Sequence, residues 1–213
     1  MPDVAVIDYG VGNLLSVRRG FEHCGARVTV TSEPAEILAA SRVVLPGVGA
    51  FANAMSELNR FGLGDVVRDV AAKGTPLLGI CLGMQMLMDE SDEFGTTRGL
   101  GLIKGHVVAV PDQTTLGEAQ KIPHIGWNGL RPVEGGRSWA DTPLKNVDHG
   151  DAAYFVHSFM AKPDDPGHRV ADCYYGNQAI SAVVARDRII GCQFHPEKSG
   201  TVGLRVLRSF LTW

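Results

Sequence analysis

Short apolar runs and longer amphipathic stretches take turns through the first half of this chain, and that alternation limits the folds open to it. The runs at 4–7, 28–31, 43–45 and 77–80 are brief and rich in apolar or β-branched residues. Between them, 13–24 places Leu14, Val17 and Phe21 on one helical face, and 34–40 reads as a short helix. Residues 50–73 carry helical periodicity broken around Gly62-Leu63-Gly64, and 82–88 opens another helix. Short buried strands alternating with helices predict a parallel sheet covered on both sides. The expected fold is α/β: an open, mostly parallel sheet with helices on both faces.

The second half is richer in strands and turns. Strands are expected at 107–110, 154–156, 170–174, 180–184 and 189–194, and exposed loops at 114–120 and 132–151. A closing helix over 202–213 carries Leu204, Leu207, Phe210 and Leu211 along one side. With 213 residues, 45% of them hydrophobic, and no repeat or linker, residues 1–213 read as a single domain.

Several function classes drop out on charge and motif. Twenty basic residues against 23 acidic ones leave a net charge of -3 and no basic run, so nothing draws the chain to nucleic acid or anionic membrane. The N-terminus lacks the basic flank and apolar stretch of a signal peptide. No run approaches the ~18 apolar residues of a membrane span. The four cysteines, Cys24, Cys81, Cys173 and Cys192, form no Cys-x-x-Cys or zinc pattern, which predicts no metal and a cytoplasmic chain with reduced thiols. Gly10-Val11-Gly12 begins like a dinucleotide fingerprint, but Leu15 stands at the third glycine position, and there is no P-loop. No cofactor is expected.

Cys24, Cys173 and Cys192 read as small core residues. Cys81 differs, because Gly79-Ile80-Cys81-Leu82-Gly83 has the spacing of a nucleophile elbow where a strand meets a helix. A nucleophile on so tight a turn needs small neighbours. The helix N-terminus beside it favours a thiolate, and the Leu82 amide points toward a developing oxyanion. Such a thiol needs a base. Of seven histidines, His23, His149 and His168 fall at helix ends or in loops and read as solvated. His106 and His124 lie near turns, with no acidic partner two residues on. His195 ends an apolar strand in Gln193-Phe194-His195-Pro196-Glu197. Residues i and i+2 of an extended chain point the same way, and Pro196 keeps the chain extended. Glu197 is thereby placed to hold one ring nitrogen while the other faces Cys81.

Those two motifs, running through Met84-Gln85 after the elbow, resemble the class I glutamine amidotransferases, and Pro46-Gly47-Val48-Gly49-Ala50-Phe51 resembles their oxyanion loop. Asp8-Tyr9-Gly10-Val11-Gly12-Asn13, Pro123-His124-Ile125-Gly126-Trp127-Asn128 and Tyr154-Phe155-Val156-His157-Ser158-Phe159 are similar to a narrower group, the glutaminase subunits of imidazole glycerol phosphate synthases. The resemblance implies that Cys81 forms a glutamyl thioester, His195 shuttles the proton and Glu197 orients the imidazole. It implies oxyanion donors at Val48 and Leu82. It implies a grip on the amino-acid end of glutamine by Gln85 and Glu93, with backbone groups at Gly49, His157 and Ser158. It further implies a heterodimer with a (β/α)8-barrel cyclase subunit that Asn13, Trp127 and Lys198 face. That partner takes up ammonia to make imidazole glycerol phosphate and an aminoimidazole carboxamide ribotide in histidine biosynthesis. The isolated subunit is then expected to hydrolyse glutamine poorly.

Other readings stay open at this point. Gln85 alone fits a helix surface, Glu93 an acidic stretch with Glu90 and Asp92, and Trp127 an ordinary core position. The chain as a whole fits three alternatives: the glutaminase of another ammonia-channelling synthase, such as pyridoxal phosphate synthase, a Cys-His hydrolase of a different amide, or a non-catalytic α/β binding module.

Overall fold

The computed structural model describes residues 2–213. Its first half runs β1 (Asp3–Ile7), α1 (Leu14–His23), β2 (Arg27–Thr31), α2 (Pro34–Ala39), β3 (Arg42–Gly47), α3 (Phe51–Arg60), α4 (Leu63–Ala72), β4 (Leu77–Cys81) and α5 (Leu82–Met86). Every element expected there is present. The long helical stretch breaks at Gly62, whose φ of 69° closes α3 with a left-handed residue before α4 begins.

The second half adds β5 (Glu90–Ser91), β6 (Thr97–Arg98), β7 (Gly105–Ala109), β8 (His124–Gly129), β9 (Arg131–Pro132), β10 (Ala152–His157), β11 (Phe159–Pro163), β12 (Arg169–Tyr175), β13 (Gln178–Arg186), β14 (Ile189–Cys192) and α6 (Gly200–Thr212). Single 3-10 turns lie at Trp139–Asp141, Pro166–His168 and Pro196–Lys198. No helix among the described residues is long and apolar enough to cross a membrane.

Among the described residues, eight strands form the main sheet in the order β2-β1-β3-β4-β14-β13-β12-β9. From β2 to β14 all neighbours are parallel, and β13, β12 and β9 continue it antiparallel. Two cores flank this sheet because side chains alternate along each strand. Val4 and Val6 of β1 join Val17 and Phe21 of α1 and Leu207 and Phe210 of α6. Ala5 and Ile7 join Ile37 of α2, Leu58 of α3, Val67 of α4 and Met84 of α5. The open α/β sheet with helices on both faces is therefore the observed architecture.

Departures from expectation fall in the second half. Residues 132–151, expected to be an exposed loop, bury Trp139, Leu144 and Val147, and the Trp139 indole donates to the Val170 carbonyl at 2.8 Å. Strands β8 and β11 were not legible as strands. In β8 the pattern is inverted: His124 is buried while Ile125 and Trp127 point outward, more than half exposed. A reading that seeks apolar residues on the inner face passes over such a strand. β8 pairs antiparallel with β10, placing His124 opposite His157.

Candidate active site

β4 and β14 are adjacent and parallel, with Ile80 opposite Cys192. The chain leaving each strand therefore emerges at the same carboxyl edge, where open α/β sheets build their sites. β4 ends on Cys81, which turns straight into α5 with φ 54° and ψ -112°. Left-handed backbone at a residue with a Cβ costs about 1–3 kcal/mol and persists only where packing enforces it. The enforcing contacts run through the two flanking glycines. A methyl at Gly83 would overlap the Leu45 carbonyl oxygen, and one at Gly79 would lie 2.7 Å from the Gly83 oxygen. α5 is thus pressed onto β3 and β4, and Leu82 supplies its first amide, which helix geometry leaves without an acceptor.

His195 is reached by the chain after β14, with its backbone amide donating to the Tyr154 carbonyl at 3.0 Å. Its Nδ1 lies 2.8 Å from Glu197 Oε1, with both side chains almost fully buried. Cys81 lies near enough to act on the charge of the ring. Burial, the strongest single influence, pulls the proton affinity of His195 down. The bonds and charges of Cys81 and Glu197 together outweigh it and lift the imidazole to about 9. The ring thereby favours its protonated form beside Cys81, held in orientation by a buried carboxylate.

These groups open onto a cavity of about 330 Å³ lined by Cys81, His195, Val48, Gly49, Leu82, Gln85, Glu93, His157 and Ser158. Each residue expected from the sequence to touch substrate lies on its wall. Glu197 stands behind His195. Gln85 spends both amide hydrogens on protein, donating to the Phe159 carbonyl at 2.9 Å and to Gln193 Oε1 at 3.0 Å. Its own oxygen is what remains for a ligand, and an oxygen acceptor suits an ammonium. Glu93 accepts the Phe51 amide at 2.6 Å through Oε2, capping α3 where Ala50 offers no side chain, and leaves Oε1 to the cavity. Asn13, Trp127 and Lys198 lie outside the cavity. Asn13 is half-buried ahead of α1, and Trp127 and Lys198 are exposed.

The class-I glutamine amidotransferase family model matches residues 5–212. The chain belongs to that family. Among curated relatives of this amidotransferase, "Imidazole glycerol phosphate synthase subunit HisH 1" of Legionella pneumophila (strain Lens) is 52% identical over 99% of both chains. "Imidazole glycerol phosphate synthase subunit HisH" of Geobacter metallireducens is 46% identical over 99% of this chain and 98% of the relative. The fold is shared more widely. A "Crystal structure of glutamine amidotransferase" superposes with a TM-score of 0.72 at 18% identity, covering 98% and 97% of the two chains. PurLQS from Thermotoga maritima does so at 0.72 and 20%, covering 99% and 98%.

Other residues of this amidotransferase contribute to the site without having been singled out. Gln193, fully buried, donates through Nε2 to the Cys81 sulfur at 3.8 Å while its oxygen takes the Gln85 bond. Its place in the motif Gln193-Phe194-His195, just past the end of β14, was the available signal. His124, expected near a turn, is buried and correctly seen only in the fold. Its Nδ1 meets His157 Nε2 at 2.9 Å, and Asn128 donates to its Nε2 at 3.0 Å. His157 Nδ1 donates to the Phe159 carbonyl at 2.8 Å. That last bond fixes the tautomer of both rings, each donating from Nδ1 and accepting at Nε2. Both are neutral: burial, above all, holds His124 and His157 down to about 4.

Proposed function

We propose that this amidotransferase is the glutaminase subunit of an imidazole glycerol phosphate synthase, hydrolysing glutamine through Cys81, His195 and Glu197 and passing ammonia to a cyclase partner. The observation that carries the chemistry is Cys81 held at a positive φ beside an imidazole whose Nδ1 is bound by Glu197 at 2.8 Å. The choice of synthase rests on the full-length likeness to HisH subunits.

The steps follow from the charges. Glutamine enters with its ammonium toward Glu93 and the Gln85 oxygen, and its side-chain amide toward Cys81. The thiolate adds to the amide carbon, and the oxyanion is met by the Leu82 amide and, once the loop turns it inward, the Val48 amide. The His195 imidazolium gives its proton to the departing nitrogen, which leaves as ammonia, and a γ-glutamyl thioester remains. His195, now neutral, takes a proton from water as that water attacks the thioester. Glutamate is released and the thiolate–imidazolium pair is restored. No acceptor for ammonia is built by these residues, which is why a partner consumes it. That partner, a (β/α)8-barrel cyclase in the reading by resemblance, would meet the face bearing Asn13, Trp127 and Lys198.

Cys81→Ala tests the whole assignment. Mixed with the cyclase, the variant is expected to lose glutamine-dependent product while product from added ammonium salt persists. Retention of glutamine-dependent product would refute the assignment.

A further inference from the structure

The segment 8–13 gives the proposed function only Asn13, yet Tyr9 is among the largest fully buried side chains of the molecule. Its hydroxyl donates to the Pro46 carbonyl at 2.8 Å and touches the Met86 sulfur at 3.6 Å. It therefore lies beneath the point where β3 passes into the loop carrying Val48. Burial, reinforced by the neighbouring Cys81 charge, pushes the phenol well above its ordinary range, so the hydroxyl remains a donor at any working pH.

The chain here is fixed on both sides of a short free span. On the near side Gly47 pairs with Cys81 in the sheet. A methyl at Gly47 would lie 2.8 Å from the Gly83 nitrogen and 3.0 Å from the Tyr9 hydroxyl. On the far side the Phe51 amide is held by Glu93. Between these anchors Val48 is 40% exposed, and Gly49 sits at φ 88° with open space around it. Pairing of Gly47 with Cys81 already restrains the Pro46–Gly47 peptide plane from its amide side, and a bond to its carbonyl restrains it from the other. The Pro46 carbonyl loses the Tyr9 bond when the hydroxyl is removed, since the ring alone offers no donor.

We infer that Tyr9 is a positioning residue for the oxyanion: by holding the Pro46 carbonyl, its hydroxyl confines rotation of the loop to Val48–Gly49 and so sets where the Val48 amide can point. This rests on the glutaminase reading and on Val48 as a donor. Loss of the hydroxyl costs oxyanion stabilisation and leaves the grip on the amino-acid end of glutamine unchanged.

Tyr9→Phe, assayed in the complex with the cyclase, separates these effects, because phenylalanine fills the same buried space. The kcat for glutamine hydrolysis is expected to fall roughly tenfold, below the 10²–10³ of deleting an oxyanion donor outright, with KM within about twofold. Inhibition by glutamate γ-semialdehyde, whose adduct with the thiolate is an oxyanion, weakens by a similar factor. Alkylation of Cys81 by iodoacetamide, a displacement at saturated carbon with no oxyanion, keeps its wild-type rate. An unchanged aldehyde affinity, a loss expressed in KM, or an equal loss in iodoacetamide rate would overturn the role given to Tyr9. A wild-type complex that fails to hydrolyse glutamine would instead overturn the glutaminase reading itself.

Discussion

His195 is held between two partners that act on it in the same direction, and the balance decides its charge. Burial alone would keep the ring neutral; Cys81 and Glu197 overcome that and raise it to about 9. A histidine raised above its unfolded value of 6.5 adds stability that is complete below that value and fades as pH climbs through 9. Glu197→Gln removes the charge but keeps the shape. It is expected to lower kcat roughly 10²–10³-fold, within the range of general acid–base contributions, and to move the His195 titration toward neutrality. An NMR titration of the ring checks the shift directly. A variant ring still titrating near 9 would assign the effect to Cys81 alone.

β10 lines the cavity through Val156 and His157, and its ribbon with β8 is built around two histidines kept out of water. His124 stacks between Phe155 and Tyr175, with ring centroids 5.1 and 4.3 Å away, and donates to His157. With both held at about 4, the unfolded chain binds more protons than the folded one between that value and 6.5. Their contribution is therefore present above 6.5 and lost as pH falls through 4. His124→Phe keeps the stack but strips His157 Nε2 of its donor. It is expected to cost about 1–3 kcal/mol at neutral pH while removing one of the two groups that acid must protonate. Melting temperatures measured from pH 7 to pH 4 should show wild type and variant converging. A constant gap would mean that His124 carries no share of the acid sensitivity.

At the scale of the whole molecule, the outer side of that same ribbon is unusually apolar. Ile125 and Trp127 of β8, with Tyr174 of the neighbouring β12, are each more than half exposed. In the proposed complex this exposed apolar group would seat the cyclase. Trp127 lies 5.9 Å, ring to ring, from Tyr154, whose carbonyl holds the His195 amide. A partner seated on Trp127 would therefore press on the strand that positions the base. Trp127→Ala is expected to raise the Kd for the cyclase about thirtyfold, the loss typical of a buried aromatic anchor, as measured by calorimetry. Unchanged affinity would move the interface elsewhere on the surface.

What the sequence determined on its own is what local pattern can encode. Period and length of the apolar runs gave the α/β sheet, from β1 through α5, because strands buried on both faces must be short and apolar. The elbow spacing around Cys81 is also local, and so is the nearness of Glu197 to His195, but the 3-10 turn Pro196–Lys198 brings the two together where an extended chain was expected. Gln85, Glu93, His157 and Ser158 came from resemblance, and the structure places all four on the cavity wall. Tertiary structure alone decided the rest. Tyr9 meets Pro46, Glu93 caps α3, Gln193 meets Cys81, and His124 pairs with His157 across positions distant in sequence. No periodicity announces such contacts, since a buried polar group is explained by its partner, and the partner is supplied by the fold.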